Sequence, residues 1–215
     1  MIISANKIPQ VRVLVNTHCG KHCIYCRPSG ESSCQLYDED FELLQKVSEI
    51  LLRQGHKDFR LTGGDPLLCN MDDLCAYIAF LKKNGAKEIS LVTRNGVVFS
   101  HFQALRDAGL RSITFSIDSL ETNKWLDYCG LPNERTHEHA ELLYAAQNAQ
   151  RYGFSVSINC VVLKTTSDDE LERLVEFSSK CLASLKLEEM IRDIGGDAEN
   201  LHRPLDSVHP ETLTC

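Results

Sequence analysis

Nothing in these 215 residues offers an apolar run near the roughly 18 residues that a membrane-spanning helix needs. Basic residues are also short: 23 Lys and Arg stand against 30 Asp and Glu, a formal charge of −7. General nucleic-acid binding is therefore not expected, since phosphate neutralisation by a basic excess supplies most of that affinity. The first ten residues, MIISANKIPQ, show no basic region followed by an apolar core. No secretory signal is expected there, and the cytoplasm is the expected compartment. Structural zinc sites usually carry two well-separated CxxC pairs, and no second pair follows the cysteine triplet described below.

What is present is an ordinary globular balance, 43% hydrophobic and 25% charged, in a chain long enough for one well-buried domain and short for two. Ten cysteines are the excess. Without a signal they read as reduced thiols and metal ligands rather than a disulfide framework. Cys34, Cys69, Cys75, Cys129, Cys160, Cys181 and Cys215 have no ligand-like spacing beyond the CxxxxxC of Cys69 and Cys75, and most are expected as small core or loop residues. Cys19, Cys23 and Cys26 differ: they form a compact CxxxCxxC directly after the apolar run Val11–Val15. Three thiolates on one loop suggest a metal centre, and three leave one iron of a cubane open where four would close it. His18 and His22 would instead complete a zinc set, so structural zinc stays as an alternative.

Along the chain, short β-branched runs alternate with stretches of helical period. Strands are expected at Val11–Val15, Lys57–Thr62, Glu88–Thr93, Ser112–Ile117, Phe154–Leu163 and Leu185–Met190. Helices are expected at Asp38–Gln54, Asp72–Asn84, Phe99–Asp107, about Glu134–Tyr152 and Asp168–Lys180, with Glu121–Pro132 irregular. Six such units predict an α/β fold, an open partial (βα)6 TIM-like barrel spanning residues 1–194, with chemistry gathered at the C-terminal rim. Residues 195–215 lose periodicity and are expected to be a flexible tail. After strand two, Gly63 and Gly64 let a ligand approach backbone, and Asp65 offers a carboxylate to an ammonium group. Asn159 and Glu188 are polar positions on strands five and six, expected to face the barrel mouth.

The cysteine spacing resembles the signature of the radical S-adenosylmethionine (SAM) family. The strings LTGGDPLL, LVTRNGVV, DAGLRSITFSIDSL, INCVVLK, DDELERLVEF and LEEM occur in the order seen in its GTP 3′,8-cyclase branch, which serves molybdenum-cofactor biosynthesis. That resemblance implies a radical SAM enzyme in which Cys19, Cys23 and Cys26 hold a [4Fe-4S] cluster whose open iron is chelated by SAM. It places Tyr25 beside the adenine, and Gly63, Gly64 and Asp65 at the SAM amino group, with Asp65 in place of the usual glutamate. Ser116, Asn159 and Met190 are the remaining cofactor contacts. Arg12, Arg60, Thr93 and Lys164 match the family's substrate contacts, and cations at the barrel mouth suit an anionic nucleotide. The electron would come from an external donor such as a flavodoxin or ferredoxin.

Departures accompany the likeness. The family's second cluster has three C-terminal cysteines and binds guanine, yet beyond residue 200 only Cys215 stands here. Arg94 replaces the usual threonine, Thr17-His18 the common Asp-Arg pair, and Leu185 an arginine. The resemblance then leaves either a shortened relative with its own substrate or a chain cut before its substrate-binding half. A peptide-modifying radical SAM enzyme and a non-catalytic metal-binding relative are the alternative functions.

Overall fold

The computed structural model of the protein describes residues 10–26, 40–190 and 201–208. Its frame is a six-stranded parallel sheet: β1 (Val11–Asn16), β2 (Asp58–Gly63), β3 (Glu88–Thr93), β4 (Ser112–Ser116), β5 (Ser155–Val162) and β6 (Ser184–Glu189). The strands pair in simple sequence order, β1-β2-β3-β4-β5-β6. Consecutive parallel pairing through crossover helices winds a barrel wall in one direction, and six strands give the expected open partial (βα)6 barrel.

Alternation along each strand separates two faces. Val13, Val15, Phe59, Leu61, Ile89, Leu91, Ile113, Phe115, Ile158 and Cys160 are buried against the helices. The opposite, concave face carries Arg12, Arg60, Ser90 and Ser112 in one register row, and Thr114 with Ser157 in the next. Arg60 reaches across it from β2 to β4, Nη2 to the Thr114 Oγ1 at 3.1 Å.

The helices are α1 (Phe41–Arg53), α2 (Met71–Lys83), α3 (Phe102–Ala108), α4 (Thr122–Cys129), α5 (Thr136–Asn148) and α6 (Asp168–Lys180). A hydroxyl pair at 2.6 Å, Ser48 Oγ and Tyr77 OH, joins α1 to α2 inside the core. The helix expected over Phe99–Asp107 is a 3-10 stretch, Gly96–His101, running into α3. The stretch expected to be irregular contains α4, whose Trp125, Leu126, Tyr128 and Cys129 are all buried. An eight-residue helix shows barely two turns of period, so its apolar content does not read as helix in the sequence. Trp125 stacks on His139 of α5 with ring centroids 4.9 Å apart, fastening α4 to its neighbour.

Part of the tail expected to be flexible is docked. His202 bridges Leu163 antiparallel, the Lys164 amide donates to the Leu201 carbonyl at 2.8 Å, Arg203 pairs with Asp168, and Val208 enters the core. Apolar burial and backbone pairing of these few residues outweigh their lack of periodicity. The rest of 195–215, with Cys215, and Cys34 lie outside the described residues. Among the described residues no helix is long and apolar enough to cross a membrane.

Candidate functional site

The loop after β1 leaves the sheet at Asn16, and its described part is strapped down at His22 and Ile24. The His22 amide donates to the Cys129 carbonyl at 2.9 Å, and the Ile24 amide to the Tyr128 carbonyl at 3.0 Å. Gly130 makes that contact possible: its φ is +62°, and a Cβ there would lie 2.6 Å from the His22 carbonyl oxygen. Lys21 is buried, pairs with Glu138 of α5 at 3.2 Å, and stands 5.9 Å over Trp125. The segment that carries the cysteines is thereby held from beneath by α4 and α5.

Cys19, Cys23 and Cys26 line one cleft of about 170 Å³ together with Tyr25, Thr62, Gly63, Gly64, Asp65, Val92, Thr93, Arg94 and Ser116. It lies at the C-terminal ends of β1 to β4. Nine residues expected from the sequence are gathered here: the three cysteines, Tyr25, Gly63, Gly64, Asp65, Thr93 and Ser116. Five are not. Asn159 sits one strand over, in register with Ser116, and its amide donates to Glu188 at 3.3 Å. Met190 packs with Tyr128 and Leu163 in a small apolar group that Tyr25 joins. Lys164 is exposed beyond β5. Arg12 and Arg60 are register partners low on the concave face rather than at the mouth, because Arg12 precedes the rim residue Asn16 by four positions. That is about 13 Å along a strand. Burial, then the neighbouring Arg12 charge, lowers the proton affinity of Arg60.

Asp65 is 2% exposed, and its carboxylate is already engaged. Thr93 Oγ1 donates to its two oxygens at 2.8 and 2.9 Å, the Arg94 amide at 2.9 Å and the Leu67 amide at 3.1 Å. Burial raises its pKa, with those donors pulling the other way. The aspartate, one methylene shorter than glutamate, therefore turns inward and locks the ends of β2 and β3. The Thr93 hydroxyl, expected at a substrate, is spent on the same lock.

The sequence did not single out Asp118, which ties Tyr25 and Arg94 together beneath the cysteines. Asp118 is 1% exposed, and its Oδ2 accepts from both the Tyr25 hydroxyl and Arg94 Nη1, while its Oδ1 accepts from the Val161 amide at 2.8 Å. Arg94 also donates to the Cys129 Sγ at 3.6 Å and lies 5.6 Å over the Tyr25 ring. Burial works against the Arg94 charge, yet Asp118, Tyr25 and the two nearby thiols together hold its pKa well above the ordinary value. Burial raises the Tyr25 pKa well above 10.0. Cys23 hydrogen-bonds with Cys129, which brings its pKa down from 9.0 to about 6 against the effect of burial, with the Arg94 charge helping; Cys129 keeps the proton and is raised. Asp at a helix start is commonplace, so only the placement of SIDSL at a strand end hinted at Asp118.

A model of the radical SAM superfamily matches residues 13–178. The chain belongs to the radical SAM superfamily. It is 33% identical over 175 residues to a GTP 3′,8-cyclase of Pseudomonas putida (strain W619), covering 80% of this chain and 50% of that protein. A GTP 3′,8-cyclase of Campylobacter fetus is 30% identical over 202 residues, 89% of this chain and 58% of its own length. The radical SAM chain thus spans about half the length of the curated relatives it matches. Streptococcus suis SuiB bound to S-adenosylmethionine superposes with a TM-score of 0.71 at 14% identity, over 86% of this chain and 42% of that one. Methylornithine synthase (PylB) gives 0.70 at 11%, over 95% and 59%. At such identities the likeness is one of fold.

Radical SAM enzymes use a [4Fe-4S] cluster and SAM, and the residues here fit that pair by donor chemistry. Three thiols, the donors that iron–sulfur clusters take, open onto one cleft that Gly63 and Gly64 also line. Cys23 is turned to Cys129, and among the described residues no three His, Cys, Asp or Glu side chains converge in metal-holding geometry.

Proposed function

We propose that this chain is a radical SAM enzyme, with Cys19, Cys23 and Cys26 as cluster ligands and the cleft they share with Gly63, Gly64 and Ser116 as the SAM site. The observation that carries the reading is that single cleft: cysteines from the β1 loop meet the ends of β2, β3 and β4 there. When bound, the cluster and SAM supply the one-electron chemistry that makes a 5′-deoxyadenosyl radical able to take hydrogen from a substrate C–H. The chain's own residues orient and enclose. Tyr25, held through its hydroxyl by Asp118, presents its ring as a wall for the adenine. The Gly63–Gly64 backbone borders the cleft without a side chain to block approach, and the Ser116 hydroxyl is a hydrogen-bonding group on its floor. Met190 and Tyr128 close the far side of Tyr25 with apolar surface that excludes water.

For the substrate, the concave face offers the adjacent Arg12 and Arg60, in one register row with Ser90 and Ser112. Two like charges on neighbouring strands repel, and an anion between them relieves that repulsion. An anionic nucleotide is the substrate class this supports, in line with the named activity of the relatives. A low-potential donor of the flavodoxin or ferredoxin type and a cytoplasmic setting, where thiols stay reduced, go with the reading.

Anaerobic reconstitution followed by dithionite and SAM tests it, with 5′-deoxyadenosine as the product measured. A brown protein that never cleaves SAM supports the non-catalytic relative instead, and a colourless protein with stoichiometric zinc supports structural zinc. Cys23→Ala is expected to lose iron and cleavage together. Nucleotide triphosphates are expected to raise the melting temperature of the chain, and Arg60→Ala to remove most of that rise; an equal rise in Arg60→Ala sinks the nucleotide assignment.

A further inference from the structure

We propose that Arg94 and Asp118 form a buried charge pair that positions the cysteine loop and sets the reduction potential of the cluster it holds. This rests on the cluster reading above. Arg94 stands at the end of β3 and Asp118 just past the end of β4, and their side chains are 11% and 1% exposed. A buried ion pair is a weak source of stability, because desolvation of both partners offsets their attraction, and an apolar pair of similar volume holds a core as well. Its placement gives it another use. One carboxylate joins four segments: the Tyr25 hydroxyl from between two ligand cysteines, the Arg94 guanidinium from β3, its own backbone after β4, and the Val161 amide of β5.

The two charges are not equidistant from the cleft. Arg94 is part of its lining beside Cys19, Cys23 and Cys26, whereas Asp118 is not among the lining residues and stands behind Arg94 and Tyr25. Arg94 also donates toward Cys129, the thiol in contact with Cys23. The cluster would therefore face the positive end of the pair. Net charge and hydrogen bonding around the sulfurs are the levers by which a protein tunes an iron–sulfur potential. A cation at the wall favours the added electron, and a carboxylate opposes it. Among the described residues of the loop, Lys21 also carries charge; it pairs with Glu138 of α5 and is the same in every variant compared below.

Redox titration of the reconstituted cluster, followed by visible absorbance and electron paramagnetic resonance, distinguishes this role from a structural one. Arg94→Met is expected to make the potential more negative and Asp118→Asn more positive. Each shift should be at least tenfold in the reduction equilibrium, about 59 mV for a one-electron couple. A purely structural pair moves both variants in the same direction or leaves the potential unchanged, and either result overturns the proposal. Should Arg94→Met not fold, Arg94→Lys takes its place: it keeps the charge and is expected to hold the potential near wild type while Asp118→Asn still moves upward. A shift in Arg94→Lys as large as that in Asp118→Asn would refute it. A wild-type chain that takes up no iron–sulfur cluster defeats the underlying cluster reading, which is a separate result from variants that load normally and do not split.

Discussion

Gly63 is where one atom decides the geometry of the site. Its φ is +143°, and a Cβ built there would lie 2.3 Å from the Asn16 carbonyl oxygen. That oxygen also accepts the Gly64 amide at 3.1 Å, and the Asn16 side-chain amide donates to the Asp65 carbonyl at 2.8 Å, so β1 and the β2 turn are in direct contact. Gly63→Ala combines a strained backbone with a clash against main chain that cannot give way cheaply, and is expected to cost about 3 kcal/mol. Chemical denaturation of the iron-free protein measures it, and a loss under about 1 kcal/mol means the turn relaxes. The glycine was legible from the sequence as a point of close approach. What it approaches was not, since contact with Asn16 is set by the pairing of β1 and β2. Asp65 carries the same lesson. The sequence offered a carboxylate for an ammonium group, and the fold gives that carboxylate to Thr93 and two backbone amides.

At the scale of elements, the alternation of strand and helix was readable because each unit carries its own period and its own stops. Glu88–Thr93 and Asp168–Lys180 have the observed bounds, and the other strands differ by a residue or so at their ends. For α6 the reason is local: Ser167 accepts from the Glu170 amide at 3.3 Å while the Glu170 carboxylate accepts from the Ser167 amide at 2.8 Å, a complete capping box. Glu170 also takes Lys124 of α4 at 2.6 Å, joining two helices that only the fold brings together. Ser167→Ala is expected to cost about 1 kcal/mol. Thermal melts compared with Ser167→Asp, which can cap, separate loss of the cap from a general intolerance at the site. Helix α4 was missed because its burial comes from contacts with the cysteine loop and α5, which no local period announces. The same cause hid Asp118, whose partners come from three other strands or loops.

Across the whole molecule, buried titratable groups set how stability responds to pH. Burial lowers the His139 pKa from 6.5, only partly opposed by its hydrogen bond with the Ser119 carbonyl, so the folded chain takes up that proton less readily than the unfolded one. The stability it contributes is present above about pH 6.5 and is lost as pH falls below that value. Glu170 acts lower on the scale: burial would raise it, but Lys124 and the Ser167 cap outweigh burial and hold it below 4.5, so its contribution fades as pH drops beneath that point. Asp65 works in the opposite sense, because burial raises its carboxyl and the folded chain gains that proton first. On the alkaline side, burial raises Cys181 from 9.0 to about 11 and raises Tyr77 above 10.0, so both favour the fold below their ordinary values and withdraw that support as pH rises through the shifted ones. Cys23, brought down from 9.0 to about 6, supports the fold above about pH 9 and withdraws that support as pH falls toward 6. Melting temperature in the iron-free protein is therefore expected to fall on the acid side through Cys23 and then His139, and to fall again at high pH. His139→Gln keeps a polar group of similar reach against Ser119 and Thr122 and removes the titration. Its melting temperature is expected to be lower at pH 8 but to change less from about pH 7 to about pH 5 than wild type. If the wild-type slope over that interval persists in the variant, the acid limb belongs to another group.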